Sequence, residues 1–330
     1  NVALGERALH LNTTGSYNVS VGMDSLKANT TASNNTAVGY QAGYANTTGV
    51  EIVAVGYQAG YSNTTGINNT AVGWSAAKAI TTGTRNVALG YAALDADTIG
   101  SKSTALGYSA LGVQNFTSAT DSFNVAVGHE VGAAVTTGLK NTFIGALAGD
   151  SCTDGDHNTI LGFNSDLDAA GTSQVIVLGS QVTSQSANNF TFGFGATDSN
   201  IAFGATSITA PSDERYKENI TTSTAGLSFV KDLRPVTFQW KKEKDVPSDH
   251  KAYVADSNDR VMQSQGETMH GFIAQEVKSA IDNHSEIKDG FDMWSADSTD
   301  GRQRLGPSSL IPILVKALQE LSAKNDALEA

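Results

Sequence analysis

Asn35-Thr-Ala-Val-Gly39-Tyr-Gln-Ala-Gly-Tyr-Ala-Asn46-Thr-Thr-Gly49-Val-Glu51 is followed at once by Ile52-Val-Ala-Val-Gly56-Tyr-Gln-Ala-Gly-Tyr-Ser-Asn63-Thr-Thr-Gly66-Ile-Asn68, a near copy 17 residues on. The first glycine of each copy recurs at Gly5, Gly22, Gly39, Gly56, Gly73, Gly90 and Gly107, and after a four-residue insertion at Gly128, Gly145, Gly162 and Gly179. A short fixed period marks a solenoid, because one repeat is too small to bury its own apolar face and must stack on its neighbours. With coils about 4.8 Å apart, such a stack makes a rod on the order of 50 Å long.

The aligned repeats predict a strand-turn-strand coil. Val2-Ala3-Leu4, Val53-Ala54-Val55 and Val125-Ala126-Val127 alternate in size, so large aliphatics share one strand face and alanines the other. The large face is expected to fill the coil. The small face, Ala3, Ala37, Ala54, Ala71, Ala88, Ala105 and Ala126, is expected to meet another chain around a symmetry axis, three chains being the first choice. Glycine suits the tight corners, and the absence of proline from residues 1–200 leaves every coil its backbone donors.

Tyr40, Tyr57, Trp74, Tyr91, Tyr108 and Phe163 follow corner glycines and read as an aromatic ladder that stiffens the rod, with a sugar-binding strip as the sharper alternative. The Thr-Thr pairs make a poor ice-binding face, since neighbouring strand residues point to opposite sides. Asp150, Asp154, Asp156 and His157 have oxygen-rich spacing, yet the stretch lacks the bidentate Glu of a calcium loop and reads as a solvated loop. No metal or cofactor is expected.

The repeat over about residues 1–180 resembles the β-roll heads of trimeric autotransporter adhesins and related phage fibre shafts, whose coils carry a similar Asn-x-Val-Ala-Ile-Gly strand, although the period here is longer.

Composition divides the chain. Residues 1–200 hold 26 of the 33 glycines and 19 charged side chains; residues 201–330 hold all five prolines and 35 charged side chains. The expected organisation is a shaft over 1–189, an irregular neck over 190–211 and a separate domain over 212–330. A net charge of -12 without a Lys/Arg cluster argues against nucleic acid. No apolar run approaches the roughly 20 residues of a spanning helix, neither end carries a signal peptide, and the lone Cys152 excludes an internal disulfide. The chain starts on the first residue of a repeat and stops within a helical pattern, so a longer protein is expected.

In the last third, Pro211 to Ile220 is charged and helix-compatible, with Ser212 as N-cap. Leu227 to Leu233 reads as a helix ended by Arg234-Pro235, Val236 to Trp240 as a strand, Lys241 to Gln265 as a hairpin or excursion, and Gly271 to Val277 as a strand-to-helix passage. A helix from about Leu310 spaces Leu314, Ala317, Leu321 and Leu328 as a coiled-coil seam.

Ser212-Asp-Glu-Arg-Tyr-Lys217-Glu-Asn-Ile220, Leu233-Arg-Pro-Val-Thr-Phe238, Gly271-Phe-Ile-Ala-Gln-Glu-Val277 and the terminal helix, in that order, resemble the intramolecular chaperone and self-cleaving domain of phage endosialidases, tail spikes and appendage proteins, found also in myelin regulatory factor. The resemblance implies a β-solenoid shaft followed by a small α+β chaperone domain, a homotrimer in the virion assembled in the host cytoplasm, and a catalytic dyad of Ser212 and Lys217. A serine hydroxyl becomes a nucleophile when a neighbouring base takes its proton, and a desolvated lysine can be that base. Asn219, Gln275 and Glu276 would orient the site or line the subunit interface. A host glycan or receptor is the further partner implied. The rivals are a surface adhesin without enzymatic activity, which would need a membrane β-barrel anchor, a glycan-degrading spike, and a membrane-tethered transcription factor.

Overall fold

A computed structural model describes residues 1–262, 266–289, 291–296 and 301–329. The chain divides into two compact units, Asn1–Asp213 and Glu214–Ala330.

The first unit is a β-solenoid. Three-residue strands such as Thr36–Val38, Val53–Val55, Thr70–Val72 and Val87–Leu89 pair in parallel, each residue opposite the one 17 positions on: Ala37 faces Ala54, and Ala54 faces Ala71. The sheet counts 13 strands. Its last coil is shorter, since Val175 pairs with Asn189, and Thr197–Ala202 then folds back antiparallel on Asn189–Phe194. A regular coil contains one strand, not two; the rest of its circuit is turns. The four-residue insertion is accompanied by an extra pair of two-residue strands, Gly100–Ser101 and Thr120–Asp121.

Inside and outside are reversed from expectation. Ala37, Ala54, Ala88, Ala105 and Ala126 are fully buried, and so are Ala42, Ala59, Ala76, Ala93 and Ala110 beyond the corner. Val53 remains 36 % exposed and Leu89 48 %. The reason is width. The chain turns sharply enough after each strand that the two rows of methyl groups meet inside the coil, while bulk such as Leu26, Ile52, Ile80, Leu94 and Leu111 fills the wider part. Where Phe143 takes the alanine position, Gly149 stands across from it; a Cβ there would lie 2.9 Å from the ring.

Buried asparagines hold the coils in step. Asn35, Asn69, Asn86 and Asn141 each accept, through Oδ1, the backbone N–H of the matching residue one coil on, and donate Nδ2 to a glycine carbonyl. A second row, Asn29, Asn46 and Asn63, is joined side chain to side chain at 3.0 Å. These bonds satisfy polar groups that would otherwise be costly to bury.

Past Ile80, which interrupts that second row, Asp97 takes the same position with a fully buried carboxylate, which accepts from the Gly100 N–H and from Gln114 Nε2. Burial pushes its carboxyl above the ordinary value, against those hydrogen bonds. A raised carboxyl pKa in the fold means that the native state binds the proton more tightly, so stability is gained as pH falls through the raised value toward the unfolded one. Asp97→Asn removes the buried charge and keeps an oxygen for the Gly100 N–H, at the cost of the hydrogen bond from Gln114 Nε2, which offsets part of the gain. The variant is expected to unfold about 2–4 °C higher at neutral pH, the shift that roughly 1 kcal/mol makes in a domain of this size. The gap should close in acid; a circular-dichroism melt at both pH values that shows no difference contradicts this account.

Among the described residues, the second unit packs three helices, α1 (Leu227–Asp232), α2 (Ala274–Asp282) and α3 (Ile311–Glu329), around Phe229, Val277, Ile281, Met293, Leu310 and Ile313. Two small antiparallel pairs, Val236–Phe238 with Met269–Gly271 and Trp294–Ala296 with Gln303–Leu305, complete it. The helix, strand and strand-to-helix expectations hold at Leu227, Val236 and Gly271, and α3 begins where the apolar spacing places it. Pro211 to Ile220 does not form a helix; it contains one 3-10 turn, Glu214–Tyr216. The excursion after Trp240 is closed by a bridge between Lys242 and Arg260; its residues 263–265 lie outside the described residues. On α3, Ala317 is buried in its own unit, while Ile311, Leu314, Leu318, Leu321 and Leu328 are exposed.

Candidate functional site

Ser212 lies two residues before the 3-10 turn Glu214–Tyr216, and Lys217 directly after it, where its backbone N–H closes the turn on the Glu214 carbonyl at 3.0 Å. Both side chains are exposed in the single chain. Asn219 sits at φ 56, a left-handed conformation that Asn tolerates better than most residues, and redirects the backbone after the turn. The division between the two units falls at Asp213 and Glu214, one residue past Ser212.

Within the second unit, motifs that are distant in sequence meet. Arg234, from the Leu-Arg-Pro stretch, makes a two-pronged ion pair with Glu276 of α2, its Nε donating at 3.0 Å. The hydrogen bond to Arg234 lowers the Glu276 carboxyl from its ordinary value, and the pair ties the end of α1 to α2. Gln275 borders a cavity of about 490 Å³, shared with Phe238, Trp240, Phe272, Arg304 and Leu305.

His284 was not singled out by sequence. It is buried edge-on against Phe229, with Nε2 at 2.9 Å from Asp232 and Nδ1 at 3.0 Å from Glu286. Those two carboxylates, Asp232 first, raise the imidazole above its ordinary value and favour the doubly protonated ring. Glu320 of α3 accepts the Leu227 N–H at 2.9 Å, which fixes the first turn of α1 on the terminal helix. A lone His between polar residues carries no periodicity, so only the three-dimensional arrangement could reveal it.

In the shaft, Tyr40, Tyr57, Trp74, Tyr91, Tyr108 and His129 stack in sequence with centroids 4.6 to 5.5 Å apart and planes within 16°. His129 takes the rung after Tyr108, and Ala146 separates it from Phe163. Interior rings spend both faces on each other, which leaves edges toward solvent; a sugar that stacks needs a face. Asp150, Asp154, Asp156 and His157 do not gather: no group of metal-ligating side chains occurs among the described residues, and Asp156 accepts the Leu139 N–H instead.

Residues 212–286 match the peptidase family described as chaperone of endosialidase. The match starts on Ser212 and takes in the Arg234, Glu276 and His284 contacts; α3 lies beyond it. A β-solenoid followed by this domain fits a tail fibre with an intramolecular chaperone. No curated protein and no solved structure matches the chain.

Proposed function

We propose that the chain is a phage tail-fibre subunit whose C-terminal unit guides homotrimer assembly and is then released by autoproteolysis beside Ser212, in the virion lineage assembled in the host cytoplasm. The observation that carries this is the family match that opens on Ser212, where the solenoid unit gives way to the second unit.

The chemistry is that of an activated serine. Lys217 Nζ takes the Ser212 hydroxyl proton as Oγ attacks an adjoining peptide carbonyl. The C–N bond breaks, the amine leaves with the proton returned by the lysine, and an ester remains. Water then hydrolyses the ester and restores the hydroxyl. The chain acts once, on itself. Because both side chains are exposed in the single chain, the dry surroundings that favour a lysine base would come from neighbouring copies, which makes cutting follow assembly.

The terminal helix supports a parallel coiled-coil nucleus. Ile311, Leu314, Leu318, Leu321 and Leu328 recur at the spacing of a coiled-coil seam, with Asn325 at the remaining core position. Lys324 and Glu329 stand five residues apart on the two flanks of that seam, the separation that pairs opposite charges between parallel neighbours. Identical coils could otherwise pair in many registers, and a template that joins the chains first removes that ambiguity.

Native mass spectrometry of the purified full chain, followed by a denaturing gel, tests this. The expected result is three copies and two bands, one near residues 1–212 and one near 213–330. A single copy, or an uncut chain in a verified trimer, contradicts the corresponding half of the proposal.

A further inference from the structure

Six of the nine tyrosines fall into three stacked pairs, the partners 17 residues apart in sequence: Tyr40 with Tyr57, Tyr91 with Tyr108, and Tyr44 with Tyr61. Their ring centroids lie 5.0 to 5.3 Å apart and their planes within 16° of parallel. All six sit on turns beyond the strands, where a ring can still slide and tilt about its side-chain torsions. Tyr40, Tyr57, Tyr91 and Tyr108 are 37 to 46 % exposed, so a small oxidant in solution reaches their edges. Stacking stiffens the rod, and it also keeps pairs of phenols in lasting contact, where a reaction that is slow between dilute molecules becomes local.

We infer that these pairs are sites of oxidative cross-linking, at which peroxide-activated haem, a one-electron oxidant, joins tyrosines of successive coils within one chain. Each phenol of a pair gives up one electron and one proton and becomes a phenoxyl radical. The two radicals couple through ring carbons ortho to oxygen, forming a carbon–carbon bond. The ring hydrogens at the new bond then move to the oxygens, which restores both phenols. One hydrogen peroxide takes up the two electrons and two protons and leaves as two waters, so the chain loses two hydrogen atoms per link and nothing else.

Coil-to-coil hydrogen bonds hold the partners together: Gln58 N–H donates to the Tyr40 carbonyl at 2.9 Å, Ser109 N–H to that of Tyr91 at 2.8 Å, and Ala45 N–H to that of Tyr61 at 3.0 Å. A radical formed on one ring therefore finds its partner without diffusion. Trp74 stands between the two outer pairs, its ring 5.5 Å from Tyr57 and 4.6 Å from Tyr91, so an electron vacancy formed on the indole has a phenol on either side to fill it. Tyr17, Tyr216 and Tyr253 have no stacked ring among the described residues and serve as internal controls. Each link would close a 17-residue circuit and staple one coil to the next, independently of how many copies assemble.

Treatment of the full chain with hydrogen peroxide and a haem peroxidase tests this. Tyr57→Phe, Tyr61→Phe and Tyr108→Phe, combined in one chain, remove one phenol from each pair and keep every ring of the stack. The unaltered protein should develop the blue fluorescence of dityrosine at roughly tenfold the level of that variant, without bands of linked chains on a denaturing gel. Peptide mass mapping should find Tyr40 joined to Tyr57 with two hydrogen atoms lost. The treated shaft should melt about 6–12 °C higher per link, the shift expected from closing a loop of this length, while the treated variant should not move. Equal fluorescence in the two proteins, no fluorescence in the unaltered chain, or fluorescence confined to bands of linked chains overturns the inference.

Discussion

Ser212→Ala is expected to leave one band of full-length chain, 34.3 kDa, where the proposed self-cleavage gives two fragments from the unaltered protein. The effect should be all or none, because in the proposed mechanism the hydroxyl forms the ester and an alanine methyl has no lone pair to offer. Assembly should survive: a missing N-cap costs about 1 kcal/mol, and here Ser212 precedes only a three-residue 3-10 turn. An uncut trimer therefore separates chemistry from folding. Lys217→Arg should be nearly as inert, since a guanidinium stays protonated and cannot take the serine proton. Ser212→Cys should retain slow cutting, the thiol being a nucleophile in its own right. The released fragments, sized by intact mass, identify which bond beside Ser212 breaks. Cutting at the same bond in Ser212→Ala removes Ser212 from the mechanism and leaves the domain a chaperone only.

The period, the corner glycines and the order of elements in the second unit are legible in the sequence, because each rests on a local rule: Gly at positive φ, apolar spacing along a helix, Pro235 stopping α1. The direction of the strand faces was not. Alternation in Val53-Ala54-Val55 tells which side chains share a face, and either face could line a coil; the width left between Ala54 and Ala59 decides it, and width is a property of the closed coil. The same limit hid the asparagines. Asn35 and Asn69 open their repeats visibly, yet that their carbonyls receive an N–H from the next coil follows only from stacking. On α3, Ala317 and Leu318 are neighbours in sequence and compatible with adjacent seams; packing of Ile313 and Ala317 into the unit's own core assigns Leu318 to the outside. At the candidate site, Ser212 and Lys217 are legible as a motif, whereas the ion pair of Arg234 with Glu276 joins residues 42 apart, beyond the reach of any spacing rule.

Gly73→Ala is expected to break the shaft at its middle. Gly73 turns the corner at φ +135, and a Cβ there would lie 2.3 Å from the Gly90 carbonyl oxygen of the next coil, 2.7 Å from its carbon. Backbone occupies that space, so no side chain can swing aside, and the coils must part. Parting them strains the hydrogen bonds from the Gly73 N–H to Val55 and from the Gly90 N–H to Val72, at 2.8 and 2.9 Å. Backbone strain of this kind costs about 1–3 kcal/mol alone, and the lost hydrogen bonds add about 1 kcal/mol each. A total of roughly 3–5 kcal/mol lowers the unfolding temperature by about 6–20 °C in a unit of this size, and aggregation on expression is the expected symptom. The control is built into the repeat. Gly60 also has positive φ, +57, but its nearest neighbour to an added Cβ is 3.6 Å away, and one coil on Ala77 already occupies the same rung at φ 48. Gly60→Ala should therefore be tolerated within about 1 kcal/mol. Equal melting temperatures for the two variants would show that close approach of successive corners does not hold the solenoid's spacing.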